Sequence, residues 1–534
     1  MLRILNIRTA VPMKKSLEAL VAKKLRCRRE DIAHLIVVRR SIDARRKPHL
    51  YFVFTVEAAF HDEKAVWKRC RDNKDVRQIK EEADIEIKTG TEKLAARPIV
   101  IGTGPSGLAA ALALSKYGYR PLVFERGCDV DTRTQDVEAF WQGGPFKADS
   151  NVQFGEGGAG TFSDGKLTTR VHHPLLRRIL QAFVDAGAPE EILYAYNPHV
   201  GTDILRRVVK NMRQTIEEQG GEVHFQSCVT AIRRDTSGKV TSVIVNGKDE
   251  YPASLVIMGI GHSARDTYYM LHDQGVALQK KPFAVGVRIE HAQDLIDRAQ
   301  YGASAEELGL EPADYALVYH SPQGRSCYSF CMCPGGVVVA AASEEGRVVT
   351  NGMSLYKRDS GIANSAIVVN VTAEDLPGDS PLSGIEFQRH YEELAYKAGG
   401  SNYHAPAQTV GSFLKRPGAP KEGPVHSYRP GITWTDLHQV LPGFVSQTME
   451  EALPYFGRRI HGFDNDDAVM TGVEMRTSAP VRIVRGEDRA ALGTAGLYPV
   501  GEGAGYAGGI MSAFLDGLET AIEIIRKYQP LEVK

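Results

Sequence analysis

The sequence predicts an α/β protein: a parallel-sheet domain interrupted by an inserted α+β domain and preceded by a small βαββα domain. Three observations predict this. The 534 residues exceed what one hydrophobic core usually fills. From Pro98 onward, short apolar runs alternate with helical ones, as in βαβ units on a parallel sheet. From about Leu271, β-rich runs alternate with Gly and Pro loops, and after Tyr498 a glycine-rich turn leads into one long helix, 510–527. The expected domains are 1–95, 96–270 for the first part of the parallel-sheet domain, 271–479 for the insert and 480–534 for the return.

The composition is ordinarily globular, 43% hydrophobic and 24% charged. Its 65 basic and 65 acidic residues balance, which argues against a whole-chain nucleic-acid binder. Seven cysteines in no regular framework point to free thiols in a reducing compartment, with no metal site. No apolar run reaches the ~18 residues of a spanning helix. The stretch Met1 to Arg8 is too short and charged for a signal peptide, and Glu18, Glu30 and Asp31 speak against a transit peptide. The expected compartment is the cytoplasm.

The first domain opens with a strand-like alternation, Leu2 to Ile7, and a helical spacing of Leu17, Leu20, Val21 and Leu25. Strand-like runs follow at Leu35 to Val38 and Leu50 to Val56, then a helix from about Glu63 and a linker from Thr89 to Arg97. This segment carries a surplus of nine positive charges. The surplus reads as a solvated face; the alternative is a surface for an acidic partner or RNA, but no aromatic stacking pattern of the kind single strands need is interleaved with the charge.

The second domain opens with a buried strand, Pro98 to Ile101, followed at once by Gly102-Thr103-Gly104-Pro105-Ser106-Gly107 and a helix, Leu108 to Tyr117. Strand, glycine turn and helix stand in the order a pyrophosphate site needs. Gly102 permits the tight turn, Gly104 lets amides approach the anion, and Gly107 lets the helix pack on the strand. The N-terminal N–H groups, with Pro105 and Ser106, face the phosphates. Glu125, at the end of the next strand, is placed to accept both hydroxyls of an adenosine ribose and would repel a phosphorylated one. The site therefore suits FAD or NAD rather than NADP.

Two further segments favour FAD, so the fold class sharpens to a Rossmann-like FAD-binding domain of three-layer ββα type. Leu255 to Met258 is a strand running into Gly259-Ile260-Gly261, and Gly496 to Gly503 precedes Gly508-Gly509 and the helix from Ile510. FAD carries a ribityl chain and a flavin that NAD lacks. Glu502 offers an acceptor for ribityl hydroxyls, and the helix start at Gly509 and Ile510 offers a positive end near the flavin carbonyl. Neither late glycine turn is followed by its own acidic ribose acceptor, so both are read as wrapping one FAD, held non-covalently. NAD(P)H would bind only transiently over it.

These residues carry a resemblance. Arg97 to Gly127, with Glu125-Arg126-Gly127 closing the second strand, resembles the N-terminal FAD motif of glutathione-reductase-type flavoproteins, and Leu497 to Gly509 resembles their carboxyl-terminal acidic motif. Phe154 to Leu167, Pro198 to Asp203, Ser329 to Gly336 and Arg476 to Ile483 resemble a family of largely uncharacterised bacterial FAD-dependent dehydrogenases. Glu502 departs from the commoner Asp. The resemblance implies that Gly158, Ala159 and Thr161 line the flavin side, that the Val229 backbone touches the adenine, and that Gly261 lies against the pyrophosphate or ribityl chain. Arg126 belongs to the same motif.

Candidates for the chemistry are fewer. Arg476 could hold a substrate carboxylate with Glu474 as proton partner, a structural salt bridge being the alternative. Lys166 is placed near the flavin N5 region. Cys327, Cys331 and Cys333 lie in a strand-like run where C-x-C puts two thiols on one face, and buried, inert thiols are the expectation. The expected function is an FAD-dependent oxidoreductase acting on a small molecule by hydride transfer at N5. The alternatives are an NAD(P)H-fed reductase and an FAD-containing RNA- or protein-binding module.

Overall fold

The computed structural model describes residues 1–79 and 87–531. The chain divides into two compact units. The first holds residues 1–86 together with 189–198 and 294–313, so the last two stretches, expected within the later domains, cluster with the N-terminal segment.

In that first unit four antiparallel strands lie in the order Ile32–Arg46, His49–Phe60, Leu2–Ala10, Val76–Gln78. The two long strands outrun the apolar runs that announced them, because pairing continues through charged residues as far as Arg46 and His49. Helix Leu17–Leu25 starts at Ser16, whose hydroxyl accepts from the Ala19 amide, and ends at Arg26 in left-handed conformation. With Glu63–Cys70 it forms a core of Leu2, Ile4, Val21, Leu25, Val56 and Val66.

The second unit contains a five-stranded parallel sheet in the order Leu497–Pro499, Val256–Met258, Ile99–Ile101, Leu122–Phe124, Glu222–His224. Its three central strands are apolar and almost wholly buried, as a sheet covered on both faces requires. A three-stranded antiparallel sheet, Asp249–Pro252, Val240–Val245 and Val229–Arg234, shares a core with it. Helices Pro105–Lys116 and Ile510–Lys527 pack closely: a β-carbon on Gly517 would fall 2.0 Å from the Ser106 carbonyl oxygen.

The same unit holds a seven-stranded sheet built around Phe283–Ala292, Ile362–Val371 and Val469–Glu474. It is antiparallel except where Ala405–Thr409 meets Ile432–Trp434. Among the described residues, no helix is long and apolar enough to cross a membrane.

Candidate functional site

Where Ile99–Ile101 ends, the chain turns through Gly102 at φ +90°, with a β-carbon there falling 2.3 Å from the Gly259 carbonyl oxygen. Only glycine fits. Gly107 is equally constrained, since its β-carbon would meet the Gly102 oxygen at 1.9 Å as helix packs on strand. Gly104 is different. Its φ is an ordinary −67°, and a β-carbon would find only the Gly158 Cα, 3.9 Å away. Nothing in the protein demands glycine at 104; the open space beside it does. Gly104 also begins the helix Pro105–Lys116 with no capping side chain, so the first amides are free for an anion.

The helix Ile510–Lys527 starts the same way, from Gly509 with no side-chain cap, and Gly261, Gly508 and Gly509 would meet no protein atom with an added β-carbon. Gly158–Gly160 bridges the two helix starts: β-carbons there would lie 3.0 Å from the Gly104 Cα and 3.1 Å from the Ile510 side chain. One cavity of about 390 Å³ is lined by all of these turns, a size that suits a small-molecule site. The two distant glycine turns are thus brought to one place.

Gly102, Gly104, Pro105, Ser106, Glu125, Arg126, Gly158, Ala159, Val229, Gly261, Glu502, Gly509 and Ile510 all line that cavity. Thr161 does not. It is fully buried behind the loop, its hydroxyl donating to the Glu156 carbonyl and its own carbonyl accepting from Thr202, so it braces the turn rather than facing the cavity. Arg126 lies 4.2 Å over the Phe154 ring, with its donors on Asp149 and Asp266. The Glu125 carboxylate accepts from Thr103 N and Oγ1 at 2.9 and 2.8 Å and from the amides of Gly127 and Gly155 at 2.9 and 3.1 Å. Those four donors fill its acceptor sites and tie three loops together. The Glu502 carboxylate has no hydrogen-bond partner among the described residues, and burial pushes it up to about 7 against the pull of Lys281.

Lys166, Glu474 and Arg476 also line the cavity, with Cys331, Asn351 and His262. Glu474 and Arg476 are not partners. Arg476 donates to both oxygens of Glu392 at 2.9 Å and also to Ser343, while Glu392 binds Arg265 on its other side. A guanidinium committed to a buried Arg–Glu–Arg network is a structural brace, the salt-bridge alternative to the substrate clamp. Glu474 is held by Arg288 (3.1 and 3.3 Å) and Thr350 (3.3 Å); burial raises its pKa and Arg288 opposes the rise. The Lys166 ammonium nitrogen is buried without a hydrogen bond. Its nearest anion, Asp164 at 3.3 Å, is already held by two nitrogens of Arg358 and by Ser354. Burial, reinforced by Arg476 and Arg265, pushes His262 down to about 3, leaving it neutral.

The sequence reading missed Arg288, Arg265, Glu392, His262 and Asn351. One signal was present: Arg288 and Glu290 interrupt the apolar strand Phe283–Ala292, and a charge inside such a run needs a partner. The identity of that partner, 186 residues away for Arg288, had no local signature.

A parallel sheet ending in uncapped helix starts and protein-free glycines, with an unpartnered carboxylate opposite, defines a dinucleotide-binding flavoprotein of Rossmann type. The comparisons agree. Residues 282–477 match the family described as FAD-dependent protein, C-terminal domain-like; residues 100–155 match an NAD(P)-binding Rossmann-like domain and residues 1–59 a domain of unknown function. An uncharacterised protein of Clostridium beijerinckii is 50% identical over 515 residues, 96% of each chain. The chain belongs to this family of FAD-dependent proteins, and FAD is its cofactor. Among solved structures, CtdE in complex with FAD is 12% identical (80% of this chain, 83% of that one, TM-score 0.30). Glycine oxidase from Bacillus cereus is 11% identical (80% and 94%, TM-score 0.34), and a mutant of halogenase PltM in complex with FAD is 11% identical (80% and 69%, TM-score 0.37). Each overlaps this chain only loosely.

Proposed function

We propose that this protein is an oxidoreductase that moves a hydride between a small organic substrate and N5 of its flavin. The observation that supports the reading is one cavity joining an FAD cradle to a cluster of ionisable groups, the half-buried Lys166 and Cys331 and the buried Glu474. FAD supplies the two-electron chemistry when bound. The amides at the start of Pro105–Lys116 would hold the pyrophosphate, and Val229 would meet the adenine. Glu502 would accept ribityl hydroxyls, and the amides at Gly509 and Ile510 would stabilise negative charge on the flavin carbonyl side. Lys166, cationic and without a hydrogen bond, would orient an anionic group of the substrate. Glu474, pushed toward its neutral form by burial, would hold or release a proton at Oε2.

The test is spectroscopic. The purified protein should show flavin absorption, and anaerobic addition of candidate donors, with NADH and NADPH among them, should bleach it. Failure to take up FAD on reconstitution, or a bound flavin that no organic hydride donor reduces, would overturn the reading.

A further inference from the structure

Strand Ser326–Cys333 pairs with Ile362–Val371 as far as Phe330 opposite Ala366, slips, and resumes with Cys333 opposite Asn364. The slip leaves one residue over on the Ser326–Cys333 side. Cys331 lies within it at φ +45°. In a regular strand the two thiols would share a face; across the bulge they stay within reach of each other, although only Cys331 reaches the cavity wall. Cys331 lines the cavity, half-buried, while Cys333 is wholly buried.

Charged groups converge on Cys331. Arg288 donates to its carbonyl at 2.8 Å and, with Lys166, acts on its sulfur. The anions facing the same place are Asp164, Glu474 and Glu502. Asp164 is taken by Arg358, Glu474 is pushed toward neutrality by burial, and Glu502 is held up to about 7. Lys166 shares the Asp164 carboxylate at 3.3 Å, and its buried ammonium nitrogen makes no hydrogen bond. The Cys333 thiol lies 3.3 Å from the Cys331 carbonyl and within reach of its sulfur, so its proton can serve either.

We propose that Cys331 is the nucleophilic thiolate of this cavity and adds to a soft carbon electrophile, a conjugated carbonyl compound. The proposal extends the reading above to the substrate of the same site. The sulfur lone pair forms the C–S bond, the C=C π pair moves onto the neighbouring carbon, and that carbon takes a proton from the Lys166 ammonium. No electrons enter or leave, so no oxidant is needed. The hydrogen bond from Cys333, with Arg288 and Lys166, holds the Cys331 pKa well below the ordinary thiol value against the effect of burial. Cys327, in the same strand, is buried with no cation acting on it, and burial pushes its thiol up.

The test is N-ethylmaleimide labelling of the FAD-loaded full-length protein between pH 6 and 8, mapped by peptide mass spectrometry. At pH 6 Cys331 should label at least about tenfold faster than Cys27 or Cys228, and change by less than about threefold up to pH 8, because its thiolate is already formed. Lys166→Met should slow it about tenfold at pH 6 and Lys166→Arg should restore it, with retained flavin absorption reporting folding. A Cys331 rate no faster than that of Cys228, or one climbing about tenfold per pH unit like an ordinary thiol, overturns the proposal. If the Lys166 variants do not fold, the wild-type profile alone decides. Fast Cys331 labelling in a protein whose flavin accepts no hydride would sink the hydride-transfer reading and leave this one standing.

Discussion

Glu125 and Glu502 follow two strands of one parallel sheet and line one cavity, yet their carboxylates live under opposite conditions. Glu125 is saturated by four protein donors from the Thr103, Gly127 and Gly155 loops. Glu502 has no hydrogen-bond partner among the described residues, and burial pushes it toward its neutral form. The glycines divide the same way: Gly107 is demanded by the Gly102 carbonyl, Gly104 by nothing in the protein. Half of the motif builds the cradle, and the other half waits for what the cradle holds. A residue of the first kind should be felt in the stability of the FAD-free protein. One of the second kind should be felt in FAD affinity.

The largest effect should come from a saturated carboxylate between two cations. Glu392→Ala leaves Arg265 and Arg476 sharing only the half-exposed Glu344 as counter-charge, a cost of about 3 kcal/mol. Urea unfolding of the apo-protein measures it, and a loss below about 1 kcal/mol would mean that this network does not hold the cavity wall. Glu125→Ala strands the four donors and should cost about 3 kcal/mol in the same assay. Unchanged apo stability with weakened FAD would move Glu125 to the ligand-facing class and break the contrast.

Gly104→Val should do the reverse of Gly107→Ala. The first should fold normally and bind FAD at least about a hundredfold more weakly, roughly 2.8 kcal/mol, read by flavin retention and fluorescence titration. The second should unfold more easily, because its methyl group meets the Gly102 backbone. Equal flavin content in Gly104→Val would remove the pyrophosphate from this turn.

The smallest effect sharpens the case of Glu502. Its folded pKa of about 7 lies above the ordinary carboxyl value, so between those two pH values the folded state keeps a proton that the unfolded chain has lost. Its contribution to apo stability is present at low pH and declines as pH rises through that window. Glu502→Gln should match the wild type at about pH 5 and exceed it by about 2 kcal/mol at about pH 8, measured by unfolding across pH without FAD. A variant less stable than the wild type at the higher pH would show a partner for Glu502.

The FAD cradle was legible because each of its parts is local. Strand, turn and helix are consecutive in Ile99 to Lys116, and the amides at the start of that helix need no partner from elsewhere. Thr161 was misplaced because its direction depends on Thr202 and the Glu156 carbonyl. Of the two readings left open for Arg476, the salt bridge is the one the packing supplies, because Glu392, 84 residues earlier, claims it. That Cys331 lines the cavity while Cys333 is buried was not legible, because a bulge is a property of the pairing with Ile362–Val371, not of the run itself.

By itself the sequence determined the dinucleotide turn, the glycines that let backbone approach a phosphate, and the second turn that singles out FAD. These follow from steric freedom and from helix-end amides, both set within a few residues. Only the tertiary structure decided which carboxylates are spent on the protein, which cation is left without a hydrogen bond and which thiol lines the cavity. Each of those outcomes depends on a partner delivered by packing from a distant part of the chain.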